Sequence, residues 1–343
     1  MTPMDKLYLE CFILALSVSY IATPLLRRVA LSFGVLDHPV SNVKTHKLPT
    51  PYLGGLAVAL GMAIALMCAR AWTKFPTGTL HALRGMMLGG SLILLLGLVD
   101  DVKRNGLGYR FKFLGQIVAA LCLVAFDIRL HFIRPAWLAD LLTIVWVVGI
   151  TNAVNIIDIM DGLASGIGII ASLGFLFISL PSEQIYVNFA SAALAGGLFG
   201  FIPFNFSRRW KIFLGDTGSL FTGFTLAALS LGTAYTHVNN AGVFAPLLIL
   251  GVPIYDTMLV TILRLQKGMS PFLGSLDHYA LRLERHGFYR EEILVMSYAV
   301  SLLLTFAAYE VTVVVFEYAM LIYFVMGIIA LALGTWLARI RID

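Results

Sequence analysis

Residues 138–163 read LADLLTIVWVVGITNAVNIIDIMDGL, an apolar window (138 to 157) that runs into Asn152, Asn155, Asp158 and Asp161. A helix rises about 1.5 Å per residue, so some 20 apolar residues cross a hydrocarbon layer of roughly 30 Å. The polar residues recur three apart, a spacing that drifts slowly around one helical face and lines a single polar cavity with amides and carboxylates. Amides suit a base or a sugar, and carboxylates suit a metal or a ribose. The alternative is a hydrogen-bonded seam between helices, which rarely needs two acids as well.

Similar apolar windows recur near 7–30, 53–73, 85–99, 111–128, 163–180, 187–204, 218–236, 242–263, 292–309 and 312–338. The chain of 343 residues is 59% hydrophobic and 13% charged, with mean hydropathy +0.88. No water-soluble core can hide that much apolar surface. The reading is all-α: one polytopic membrane domain over 1–343, with about eleven transmembrane helices and a cleft on the cytoplasmic face. The first window runs into Arg27-Arg28 with no small-residue cleavage pattern, so it reads as a retained span. Cys11, Cys68 and Cys122 sit in apolar windows without metal-ligand spacing and read as core.

Eleven spans sort the loops into two sets, and eighteen of the 24 Lys and Arg fall in the set that contains Arg27, Lys112, Arg208 and Arg282. The positive-inside rule places that set in the cytoplasm, with the N-terminus outside and the C-terminus inside. The net charge of +5 follows from this bias and from anionic headgroups, and calls for no nucleic acid.

Every other polar run falls on the same side. Asp100-Asp101 ends the third span, where two adjacent carboxylates repel each other unless a cation or a phosphate proton sits between them. Lys112 stands at the water end of the fourth span. Asn205 opens the loop to Phe213-Leu214-Gly215-Asp216-Thr217-Gly218, whose glycines permit close backbone approach around Asp216, a candidate Mg²⁺ ligand, with Phe213 free to stack on a base. Pro253 can kink the ninth span beside Asp256, an acid in apolar surroundings whose plainer reading is a structural acid paired with Tyr or Thr. His278 and Arg282, four apart, would offer two donors to one phosphate. Lys47 and Thr50 lie in a Pro-rich loop that leads into Gly54-Gly55.

The order Asp-Asp, Asn-x-x-Asn-x-x-Asp-x-x-Asp-Gly-Leu, Phe-x-Gly-Asp-x-Gly-Ser-Leu and Pro-x-x-Asp-Thr resembles the polyprenyl-phosphate N-acetylhexosamine-1-phosphate transferases over nearly the whole chain. The resemblance implies transfer of a sugar 1-phosphate, GlcNAc-1-phosphate first, from a UDP-sugar to a polyprenyl phosphate lipid such as undecaprenyl phosphate. UMP is released, with Mg²⁺ as cofactor and Mn²⁺ as the alternative, often in a homodimer. By matching position, Asp216 becomes the metal ligand, and Asp100 and Asp101 act on the acceptor phosphate. Lys112 holds phosphate and shares its charge with His278 and Arg282. Asn152, Asn155, Asp158, Asp161, Asn205, Phe213, Lys47 and Thr50 form the nucleotide-sugar pocket. Two positions depart from the family: Ile159 follows Asp158 where many members have Gly, and the late loop keeps only His278 of a usual histidine cluster. The alternatives are another UDP-N-acetylhexosamine, a phospho-MurNAc-pentapeptide donor and, in another class, a secondary transporter.

Overall fold

The computed structural model describes residues 3–38, 48–75, 77–103, 106–182, 184–236, 238–270 and 275–340; Lys47 lies outside them. In chain order the elements are α1 (Pro3–Phe33), β1 (Leu36–Asp37), β2 (Thr50–Pro51), α2 (Gly54–Trp72), α3 (Thr77–Val102), α4 (Tyr109–Ala125), α5 (Ala136–Ile156), α6 (Leu163–Ser179), α7 (Ile185–Phe206) and α8 (Gly215–Gly232). There follow α9 (Ala245–Ile249), α10 (Gly251–Gln266), α11 (Tyr279–His286), α12 (Arg290–Val313) and α13 (Phe316–Arg339).

Each apolar window of the sequence holds a helix, so the architecture is an all-α polytopic membrane bundle. Among the described residues, eight helices are long and apolar enough to cross a membrane by themselves, or nine if α9 and α10 form one span bent by 71°. The other two windows hold α4, which is only 17 residues long, and α8, whose first turns are rich in Gly, Thr and Ser. The bend falls at Leu250, and Pro253 sits in the first turn of α10, where its missing N–H removes no helical bond.

The described residues form two compact units, one up to Thr233 and one from Ala234 onward. In the first unit α8 is the central helix, buried on all sides from Thr217 to Ser230 by α2, α3, α5 and α6. Glycines set how closely it is gripped. A Cβ on Gly97 of α3 would lie 2.6 Å from the backbone of Asp216, and one on Gly55 of α2 would lie 2.1 Å from Gly218. Such contact is how helices pack in lipid, where no hydrophobic force drives them together.

Helices α1 and α7 run parallel, with Gly196 against the Phe12 carbonyl and Gly200 against the Leu16 carbonyl. They therefore finish at the same end. There Arg27, in the last turns of α1, donates to the Lys211 carbonyl at 3.1 Å and the Arg209 carbonyl at 3.3 Å, so two groups of basic residues meet. In the second unit α12 packs on α9 and α13, and α13 leaves Phe324, Ile328 and Leu331 exposed, a surface suited to lipid.

Candidate active site

The site begins at a helix terminus. The first N–H groups of α8 lack helical partners and carry partial positive charge. Asp101, at the end of α3, covers them: its carboxylate accepts from Asp216 N at 2.9 Å, Thr217 N at 3.0 Å and the Thr217 hydroxyl at 2.6 Å. Gly215 makes the approach feasible, since its φ of +73° is left-handed and a Cβ there would lie 2.5 Å from Asp101 Oδ2.

With its backbone fixed, Asp216 projects toward α4 and α5. Its Oδ1 accepts from Asn155 Nδ2 at 3.0 Å, and Asn155 also donates to the Ser219 hydroxyl at 2.8 Å. Its Oδ2 pairs with the Lys112 ammonium, which also reaches Asp100 Oδ2 at 2.9 Å. The Leu107 amide donates to the other oxygen of Asp100. Asp100, Asp101 and Asp216 each offer an oxygen within 4.8 Å of the others, the hard donor set that suits Mg²⁺. One positive charge, that of Lys112, stands between two of these carboxylates, so the cluster keeps an excess of negative charge. The donor chemistry fits a divalent cation.

A second group is built by Asn205 at the end of α7. Its Oδ1 accepts from Gly162 N at 2.7 Å and its Nδ2 donates to the Ile212 carbonyl at 3.0 Å, which staples the turn after α5 to the loop before α8. Gly162 has φ +78° and lies against the Phe206 ring, where a Cβ would come within 2.1 Å. Across this staple Asp161 pairs with Lys211, whose ammonium lies 5.6 Å from the centre of the Phe213 ring. Phe213 N donates to the Pro51 carbonyl at 2.9 Å, and Gly54 N to the Phe213 carbonyl at 3.1 Å. Thr50, on β2 and hydrogen-bonded to the Leu48 carbonyl at 3.0 Å, is thereby held near Phe213. Asp158 is half-buried in the turn, and among the described residues its carboxylate has no hydrogen-bond partner. Burial, together with the negative charges of Asp216, Asp161 and Asp101, pushes its pKa up to about 8.

Asn152 is placed elsewhere. It forms a reciprocal amide pair with the buried Gln116 of α4 and donates to the Val148 carbonyl at 2.7 Å, so it ties α4 to α5. Gln116, Lys211, Ser219 and Thr217 are partners that the sequence reading did not single out. None carried a charge pattern of its own, Lys211 being one of three basic residues in its loop.

His278 and Arg282 belong to the second unit. Arg282 is 2% exposed, and its guanidinium is committed within the protein: Nε to the Asp277 carbonyl at 3.1 Å, Nη1 to the Leu337 and Ile340 carbonyls at 3.0 and 2.6 Å, and Nη2 to Asp277 Oδ1 at 2.6 Å. It braces the end of α13 and does not reach out as a free phosphate donor. Burial acts to raise the Asp277 carboxyl, but hydrogen bonds from Lys267, Ser275 and Arg282 outweigh it and hold the group below the usual carboxylate range. His278 Nδ1 lies 2.7 Å from Asp256 Oδ2, and Asp256 is completely buried. Asp256 is thus paired with the His278 ring and the Tyr279 backbone N–H rather than with a Tyr or Thr side chain.

Comparison with known proteins identifies the family. Residues 83–234, which hold the acid cluster and the stapled turn, match the family model described as glycosyl transferase family 4. The chain is 31% identical over 306 residues, 87% of its length and 83% of the relative's, to a Bacillus subtilis protein named "probable undecaprenyl-phosphate N-acetylglucosaminyl 1-phosphate transferase". It is 33% identical over 82% of its length and 76% of the relative's to the decaprenyl-phosphate N-acetylglucosaminephosphotransferase of Mycolicibacterium smegmatis. A third relative, the phospho-N-acetylmuramoyl-pentapeptide-transferase of Limosilactobacillus fermentum, is 35% identical over 54% of the chain and 60% of its own length. The chain belongs to glycosyl transferase family 4, among the polyprenyl-phosphate N-acetylhexosamine-1-phosphate transferases.

Proposed function

We propose that the protein transfers N-acetylglucosamine 1-phosphate from UDP-GlcNAc to a polyprenyl phosphate such as undecaprenyl phosphate, releasing UMP, as the first membrane step of an envelope polysaccharide. The observation that carries this reading is the Asp100–Lys112–Asp216 bridge beside the Asp101-capped start of α8. GlcNAc is preferred because the relatives named for it match over 82% to 87% of the chain, against 54% for the muramoyl-pentapeptide relative.

In the reaction an oxygen of the lipid phosphate attacks the β-phosphorus of the UDP-sugar. The bond from that phosphorus to the bridging oxygen breaks, and UMP leaves with the electron pair. Asp216 and Asp100, with Asp101 behind them, would hold Mg²⁺ or, as the alternative, Mn²⁺, which supplies charge neutralisation to a diphosphate when bound. Lys112 hands part of its charge from the carboxylates to the phosphate oxygens. Asn155 fixes the rotamer of Asp216, so the carboxylate needs no reorganisation. Phe213 stacks on the uracil, while Asp158, Asp161 and Thr50, with Lys47, recognise the rest of the nucleoside. Asn205 acts by holding the turn and the loop in register.

We place the site on the cytoplasmic face, with the N-terminus outside, the C-terminus inside and the chain acting as a homodimer. A transporter would set its acids near the bilayer midplane; the acids of the first unit crowd helix ends. The test is UMP release by purified protein with polyprenyl phosphate, Mg²⁺ and a panel of UDP-sugars. UDP-GlcNAc is expected to be the preferred donor, and Asp216→Asn to abolish release. A silent wild-type protein with every UDP-sugar, UDP-MurNAc-pentapeptide included, would sink the proposal.

A further inference from the structure

Asp37 takes no part in the reaction just described, yet it is only 8% exposed, and a buried carboxylate is costly unless its oxygens are satisfied. It lies on β1, which pairs with β2 in the register Leu36↔Pro51 and Asp37↔Thr50. Tyr52 N continues the ladder by donating to the Val35 carbonyl at 3.3 Å. Side chains alternate across a strand, so Tyr52, two residues beyond Thr50, emerges on the same face as Asp37. There the Tyr52 hydroxyl donates to the Asp37 carboxylate, which fixes the direction of the ring.

The ring stands beside the residues assigned to the nucleotide. The stretch from Pro51 to Gly55 runs against the loop before α8, where Gly55 N donates to the Leu214 carbonyl at 2.9 Å beyond the Pro51 and Gly54 bonds to Phe213. The centre of the half-buried Tyr52 ring lies 6.4 Å from that of Phe213, with the planes inclined at 49°. Toward α8 it meets the acid cluster. Burial raises the phenol well above its ordinary value, and the Asp37 bond and the charges of Asp37, Asp101 and Asp216 push it the same way, so Asp101 and Asp216 are within electrostatic reach. A nucleotide with its base on Phe213 and its diphosphate at Asp216 has to cross the ground between them, and Tyr52 flanks it.

We propose that Tyr52 is a second aromatic wall of the donor pocket, packing its ring against the nucleoside between Phe213 and Asp216, with Asp37 as the positioning residue that holds the ring there. The inference rests on the transferase reading and deepens it by adding a residue that recognises the donor and another that acts through it. All of these residues belong to the first unit.

The test uses Tyr52→Leu, Tyr52→Phe, Asp37→Ala, the Asp37→Ala/Tyr52→Leu double variant and Tyr52→Cys, all in the full-length protein. Tyr52→Leu is expected to raise the KM for UDP-GlcNAc by ~10-fold, the scale of one aromatic contact, with the loss falling on KM rather than on kcat. Tyr52→Phe, which keeps the ring without its anchor, should fall between Tyr52→Leu and wild type. Asp37→Ala should raise KM as well, but cost nothing further once Tyr52 is Leu. In Tyr52→Cys, UDP should slow reaction with a maleimide, relative to the wild-type background, and inorganic diphosphate should slow it far less. An unchanged KM in Tyr52→Leu, additive losses in the double variant, or protection by diphosphate equal to that by UDP would each overturn the proposal. If Tyr52→Leu fails to fold, Tyr52→Phe and the protection experiment still decide it. A wild-type protein that releases no UMP overturns the activity first, and protection by UDP, which needs no turnover, then judges Tyr52 on its own.

Discussion

At the residue scale the site is a balance of like charges. Lys112 stands between Asp100 and Asp216, and removing it leaves two carboxylates facing each other beside Asp101. Lys112→Met is expected to lower kcat by ~10²- to 10³-fold, the scale of losing one preorganised electrostatic contact. UMP release at saturating donor measures this. Asp158 gives a pH signature. Its folded pKa of about 8 lies far above the ordinary value of 3.8, so the fold favours the protonated form. Its contribution to stability is intact below about pH 4 and is lost as the pH rises through about 8. Thermal unfolding in detergent should therefore show wild type falling behind Asp158→Asn between these limits, with the gap constant at higher pH. A gap independent of pH would contradict the burial of that carboxyl.

At the scale of elements, the start of α8 is where packing and chemistry share atoms. Gly97 faces the backbone of Asp216 and Thr217 with no space for a methyl group. Gly97→Ala is expected to cost about 1–3 kcal/mol of stability, as overpacking does, and to lower UMP release further by displacing Asp216 from Asn155 and Lys112. Unfolding and turnover measured on one sample separate the two effects. The sequence made the helices legible because each is an apolar window, and it made Asp100, Asp216, Asn155 and Asp161 legible because acids and amides at span ends are costly. It hid what depends on pairing across the fold. Asn152 looked like part of the stripe, but its position on α5 turns it to Gln116. Arg282 looked like a phosphate donor because no sequence pattern reveals the carbonyls of Leu337 and Ile340 around it. Asp101 looked equivalent to Asp100, yet one caps a helix and the other meets a lysine.

At the scale of the molecule, the parallel course of α1 and α7 fixes which loops share a side. A cysteine introduced at Ser207 should react with an impermeant maleimide only from the cytoplasmic side of sealed vesicles, and reaction from the opposite side would invert the proposed topology. Chelation of divalent cations should abolish UMP release while helical content, read by circular dichroism, stays unchanged. Because the first turn of α8 carries Asp216 and continues directly into the most enclosed helix of the first unit, a ligand held there cannot dissociate its grip from the integrity of that core. Unfolding must release the ligand, so occupancy should translate into a higher melting temperature by mass action, ~2.7 kcal/mol at a hundredfold excess over Kd. The protein is therefore its own binding reporter, and candidate nucleotide sugars can be ranked by melting alone, without a lipid acceptor or turnover.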